Sequence, residues 1–476
     1  MASTPQQSAN HPLASTSDPS TRQARITPQV LFPLILFVLS AAINLYHVDI
    51  TEIHPDESRW INRADYATDL LDPFGPTWQD QYLTRGQPPL GSYLMGIGLL
   101  IQGRDTVTNG VWDFAYAAEW NRAVGASPSE ADLDAARRTN AIVGAVTVVL
   151  VYFIGRSLLS AFAGVAGALM LALHPLQIWI SSQALSDELL IMLIAAATLA
   201  MIRMCRRPSR GAALALGILL GLGGATKLSP LLLSFPLAMY GLVLIGLARS
   251  HFKAGSKAVR IGALLLWQPA IAIATFVVTY PYLWPAPIQR TWNLFALRSQ
   301  EMDEQSAAWP NTAVENPLIA VARIYDRLTW EFSTTGDIMG TVAGWFGVDA
   351  DPWGFDIPLG LIGAGILIML CFRRGLASGT MLASLLIAGQ VAAIVVGMKV
   401  DFYRYHLPVV LAVCLLTGIA AGFAWHQLAI RGTWRIWNVI PGVSVSEPGS
   451  GDTQLEDEPT PDNVKGSQPL QTGSNQ

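Results

Sequence analysis

Charge is what this sequence has least of. Of its 476 residues only 13% are Asp, Glu, Lys or Arg, about half the share of an ordinary soluble domain, while 51% are hydrophobic. A soluble globular domain is excluded. No long basic block occurs and the net charge is −4, so nucleic acid is not an expected partner. Cysteine is scarce: Cys205, Cys371 and Cys414 lie in or beside apolar runs, and none is spaced as a metal knuckle or a disulfide framework. Regular alternation of apolar and polar residues is missing as well, which argues against a strand barrel.

What is there is a series of long apolar stretches. Eleven can be read, at 29–47, 88–102, 138–158, 160–180, 186–203, 210–226, 229–249, 260–280, 356–372, 376–397 and 405–426. A run of about twenty apolar residues crosses a hydrocarbon core of about 30 Å as a helix. Lys and Arg in short loops favour the cytoplasmic side, and the strongest clusters lie at 203–210, 249–260 and 373–374. These agree in parity with a cytoplasmic N-terminus only if one stretch returns to its own side. The stretch 88–102 is the one that fits, being only about 22 Å long as a helix, opening on Pro88-Pro89 and carrying Gly91, Gly96 and Gly98. It is expected to be re-entrant or interfacial. About ten crossings remain, with both termini cytoplasmic and long outer regions at 48–137 and 281–355. Eleven of the fifteen tryptophans fall in these regions or at outer helix ends, either as an aromatic belt or as sugar-stacking faces.

The first outer region begins His54-Pro55-Asp56-Glu57-Ser58-Arg59-Trp60. Two adjacent carboxylates close to the membrane surface are costly, and a low-dielectric setting raises a carboxyl pKa toward that of a working base. Pro-Asp-Glu also opens many helices, so an N-cap is the competing reading. Further along the same loop comes Arg85-Gly86-Gln87-Pro88-Pro89-Leu90-Gly91, and outer helix ends carry Arg137-Arg138, Asp187-Glu188, Lys227 and Arg404-Tyr405-His406. Cations gathered at one membrane face suit a phosphate at headgroup depth, although each alone also fits a snorkelling side chain or a topology signal.

In this order, these residues resemble the polytopic glycosyltransferases of the C-type (GT-C) fold, in particular the protein O-mannosyltransferase and aminoarabinose transferase superfamily. The resemblance covers roughly 29–426 and rests on Asp56-Glu57, Pro88–Gly91, Arg138 leading Thr139–Leu150, His174-Pro175 running into Ser186–Leu190, Gly217–Lys227 and Arg404–Pro408. It implies an all-α polytopic enzyme that moves one mannose-like or pentose-like sugar from a polyprenyl-phosphate donor to a hydroxyl of a glycan, lipid or protein acceptor. On that resemblance Asp56 is the catalytic base and Glu57 orients the acceptor or Asp56. Arg138, Lys227, Arg404 and Arg85 are expected to hold the donor phosphate. Asp187 and His54 would position donor or acceptor, or share a divalent cation with Asp56. Gln87 departs from the pattern, since many relatives carry His or Lys before the two prolines, and Arg85 is the expected substitute.

The region 281–355 is expected to form short amphipathic helices over the active-site cavity. Residues 1–28 and 427–476 are expected to be disordered cytoplasmic segments, the latter acidic, flanking a transferase domain at 29–426 in the plasma membrane. A secondary transporter or lipid flippase is the alternative function. Against it stand the absence of an evident repeat and the placing of ionisable groups at helix ends, away from the midplane.

Overall fold

The structure, a computed structural model, describes residues 28–250, 256–349 and 353–430. Most of the two expected terminal segments, 1–27 and 431–476, lies outside the described residues. The described chain is helical, and its one β-bridge joins Ala313 to Val400. The helices used below are α1 Pro28–Val48, α2 Pro55–Asn62, α3 Leu90–Ile101, α4 Glu130–Leu158, α5 Ala161–Ala172, α6 Pro175–Ser181, α7 Asp187–Arg206 and α8 Arg210–Gly224. They continue as α9 Ser229–Ser250, α10 Lys257–Val278, α11 Pro287–Ala308, α12 Pro317–Asp326, α13 Thr334–Trp345, α14 Asp356–Arg374, α15 Gly379–Gly397 and α16 Leu407–Ile430.

Local sequence explains where these helices begin and end. Ser129, Ser160, Ser209, Ser256 and Ser378 each cap a helix by accepting a backbone N–H through the side chain. At the end of α14, Gly375 takes φ 85°, which side-chain-bearing residues avoid. Between α5 and α6 the chain bends by 64° at His174-Pro175, because proline disfavours helical backbone in the residue before it.

Among the described residues, eight helices are long and apolar enough to cross a membrane, and α5 with α6 makes a ninth if the bent pair is one span. The tenth expected crossing, α8, has 15 residues and reaches only about 22 Å. With 12 residues, α3 is shorter still, at about 18 Å too short to cross, as expected for 88–102.

Two buried apolar clusters meet along the bundle. One joins α1, α4, α5, α7 and α16 with α2 and α3. The other joins α7 through α10, together with Tyr66, Trp78, Tyr93, Tyr280 and Tyr282. Lipid is as apolar as leucine, so helices in it associate through close packing at small residues. A Cβ on Gly418 of α16 would lie 2.5 Å from the Gly167 nitrogen of α5, so these backbones touch. On its far side α1 exposes Val30, Leu31, Leu34, Ile35 and Val38, a face for lipid. The chain is an all-α, multi-pass membrane protein.

Alternating helix direction brings the ends carrying residues 54, 137, 187, 227 and 404 to one end of the bundle. Contacts among these residues build the candidate site.

Candidate active site

The site starts from the cap of α2. His54 is the N-cap: its Nδ1 accepts the Asp56 N–H at 3.2 Å, while its own N–H donates to Glu57 Oε2 at 2.8 Å. This capping box sends the two adjacent carboxylates in different directions. Glu57 points inward, is fully buried, and takes both Arg137 guanidinium donors at 2.8 Å and the Ala184 N–H at 2.7 Å. Arg137 also donates to the carbonyls of Val48, Thr51 and Glu52. Glu57 and Arg137 therefore tie α2 to the end of α1, to α4 and to the turn before α7. Asp56 faces the other way, with its side chain 17% exposed, and forms an ion pair with Arg404; His54 Nδ1 stands 3.7 Å from its Oδ2. Burial and the Arg404 charge lower the His54 pKa, against the opposing pull of Glu57 and Asp187, so His54 is neutral at pH 7.

Asp56, His54 and Arg404 line a cavity of about 500 Å³. Arg59 of α2 and Arg63 at its C-cap line the same cavity three and seven residues after Asp56, on the spacing of one helix face. Arg59 donates to the Trp112 carbonyl at 3.2 Å and lies 4.3 Å over the Phe114 ring. Arg63 is buried, and burial lowers its pKa; its Nη2 donates to Gln87 Oε1 at 3.0 Å. From the connection after α10, α11 supplies Arg298, Glu301 and Glu304. Aromatic walls come from Trp179 of α6 and Tyr403, whose rings pack together with Phe332. Trp179 and Tyr403 meet edge to face, at 79°.

The remaining expected residues divide. Asp187 and Lys227 form an ion pair outside the cavity lining, and the Lys227 ammonium lies 5.1 Å from the centre of the Tyr405 ring. Arg404 lies 5.5 Å from the same ring, so the two cations flank one aromatic group. Arg138 and Arg85 do not line the cavity. Arg138 faces Asp134 at 3.6 Å, one helical turn back, and its side chain is 53% exposed. The buried arginine at this helix end is Arg137, because α4 turns position 137 toward Glu57 and position 138 outward. Arg85 faces Asp80 at 3.7 Å. The cation adjoining Gln87 is Arg63, not the expected Arg85. Among the described residues no three His, Cys, Asp or Glu side chains converge as ligands for a cation. Asp56 is instead paired with Arg404 and Asp187 with Lys227.

Sequence reasoning missed Arg59, Arg63 and Glu301. The two arginines had a signal, their helical register with Asp56. Glu301 lies in the region 281–355 expected over the cavity, but nothing in the sequence singles out that residue within it.

Residues 116–273 match the family model described as dolichyl-phosphate-mannose-protein mannosyltransferase. No curated protein sequence matches the chain. Among solved structures, the Saccharomyces cerevisiae protein O-mannosyltransferase Pmt1-Pmt2 complex bound to the sugar donor is similar at 21% identity and TM-score 0.38, over 54% of this chain and 34% of that one. The Archaeoglobus fulgidus oligosaccharyltransferase in complex with zinc and sulfate is similar at 14% identity and TM-score 0.49, over 83% and 50%. ArnT from Cupriavidus metallidurans bound to undecaprenyl phosphate is similar at 15% identity and TM-score 0.46, over 84% and 62%. This chain thus spans about a third to three-fifths of the length of these proteins. The family model covers the third of the chain that carries the anchors Arg138–Leu150, His174-Pro175, Ser186–Leu190 and Gly217–Lys227, whereas Asp56-Glu57, Pro88–Gly91 and Arg404–Pro408 lie outside the matched residues.

Proposed function

We propose that this chain is a membrane glycosyltransferase that moves one sugar, mannose-like or pentose-like, from a polyprenyl-phosphate donor to an acceptor hydroxyl at the outer face of the membrane. The observation that carries this reading is the Asp56 carboxylate at the wall of a 500 Å³ cavity, paired with Arg404 beside a neutral His54. The match to a dolichyl-phosphate-mannose-dependent family supports the donor class.

The Asp56 carboxylate lies at the cavity wall beside Arg404, placed to receive a proton from an acceptor held there. The acceptor oxygen attacks the anomeric carbon, its proton passes to Asp56, and the bond from the anomeric carbon to the phosphate oxygen breaks. The electron pair leaves with the polyprenyl phosphate, whose growing charge needs fixed cations nearby. Arg404 is the first candidate for that task, with Lys227 next to it across the Tyr405 ring. Glu57 is fully committed to Arg137 and backbone donors, so its role is to hold α2 in place.

Incubating the purified protein with a panel of polyprenyl-phosphate sugars and following each by mass spectrometry tests the reading. One donor is expected to lose its sugar to an acceptor. If every donor stays intact with glycan, lipid and peptide acceptors alike, while the lipid crosses a vesicle bilayer in the protein's presence, the flippase alternative replaces it.

A further inference from the structure

Arg404 sits in a short turn, Tyr403–His406, that no regular helix supports from its N-terminal side. One residue before that turn's N-cap, Asp401 is 3% exposed and collects contacts from three directions. Its Oδ1 meets His406 Nε2 at 2.7 Å, just past Arg404. Its Oδ2 accepts from Arg327 Nη2 at 3.0 Å and Nε at 3.2 Å, on a segment more than seventy residues away in sequence. Its backbone N–H donates to the Thr312 carbonyl at 2.7 Å, next to the Ala313–Val400 bridge and the Val314 N–H to Lys399 bond. Arg327 in turn lies 4.5 Å from the centre of the Tyr403 ring, and the Trp309 ring packs on Phe402. Burial alone would raise the Asp401 pKa, but the His406 and Arg327 contacts outweigh it and hold it below the usual carboxylate range, so the clamp is charged.

We propose that Asp401 is a positioning residue: by joining the connection around Thr312 and Arg327 to both ends of the Tyr403–His406 turn, it fixes the Arg404 guanidinium against Asp56. It touches neither the cavity nor Asp56, and it acts through Arg404. A charged, buried carboxylate paired with His406 and Arg327, and with Arg323 Nε 4.0 Å away, is costly to disturb. Replacing it by Asn removes the charge that attracts Arg327 and leaves the turn held by backbone contacts. The connection 281–355 is then both a wall of the cavity, through α11, and the anchor of the residue that pairs with the proposed base. This rests on the proposed function only for the meaning of the pair, since the geometry can be tested without a sugar donor.

The test is the reactivity of Asp56 toward a water-soluble carbodiimide, read by mass spectrometry on the folded protein, with Asp134 as the internal reference. Loss of the Arg404 ion pair leaves the Asp56 carboxyl open to the reagent, and its labelling is expected to rise on the order of tenfold. Asp401→Asn is expected to bring Asp56 labelling close to the level of Arg404→Ala, and the double variant is expected to add nothing further. Labelling at the wild-type level in Asp401→Asn overturns the proposal, and so does an additive double variant. Should Asp401→Asn fail to fold, Arg327→Gln removes the same clamp from its other side, and the same outcomes decide. A protein that consumes no sugar donor sinks the proposed function and leaves this result standing.

Discussion

Two adjacent carboxylates with opposite surroundings define the chemistry at the scale of single residues. Glu57 has the buried, doubly bonded partner Arg137, and Asp56 has the cavity. Glu57→Ala leaves the Arg137 guanidinium buried and unpaired, a change that costs about 3–5 kcal/mol; the thermal midpoint of the detergent-solubilised protein is expected to fall sharply. Asp56→Asn is expected to leave that midpoint within a few degrees. His54 adds a pH dependence of known sign. Its folded pKa is lowered from 6.5, so the unfolded chain binds the proton more readily and stability is lost as pH falls below about 6.5. His54→Asn keeps a capping side chain that does not titrate. Thermal midpoints measured from pH 7.5 to pH 5 are expected to fall less in this variant than in the wild type. The sequence left the acidic pair open between cap and base; the fold puts Glu57 in the capping box and turns Asp56 to the cavity wall, where we propose that it acts as the base. Only the direction of each side chain could divide them, and that depends on where α4 and α16 pack.

The same division holds for whole elements. Apolar length and loop charge made α1, α4, α7, α9, α10 and α14 through α16 legible, because hydrocarbon thickness imposes one length on every crossing. They also identified α3 as the stretch that does not cross. Two elements departed from expectation. The stretch 160–180 is broken at His174-Pro175, and α8 is shorter than a full span. What the sequence could not display is which helix faces meet. The contact of Gly167 with Gly418 sets how α5 lies on α16, the helix that follows Arg404. Gly418→Leu forces these backbones apart, and overpacking of this kind costs about 1–3 kcal/mol or more. A lower thermal midpoint together with weaker sugar transfer is the expected result, whereas Gly246→Leu on α9, where a Cβ meets nothing within 4 Å, is expected to change neither.

For the whole molecule, alternating crossings deliver the ends that carry residues 54–59, 137, 187, 227 and 404 to one end of the bundle, and the connection 281–355 closes over them with α11. Charge scarcity made that gathering visible in advance: where only 13% of residues are charged, the few at helix ends mark the working end. Which of them reach the cavity was legible only in part. Arg404, Asp56 and His54 do, whereas Glu57, Asp187, Lys227, Arg138 and Arg85 do not, and Arg59 and Arg63 enter from the register of α2. The central claim is that Asp56 takes the acceptor proton while a polyprenyl phosphate departs. The most direct measurement compares wild type with Asp56→Asn for release of polyprenyl phosphate from its sugar-linked form under single-turnover conditions, quantified by mass spectrometry. The account predicts a loss of about 10²–10⁴-fold in the variant with donor binding retained; transfer at the wild-type rate by Asp56→Asn would contradict it.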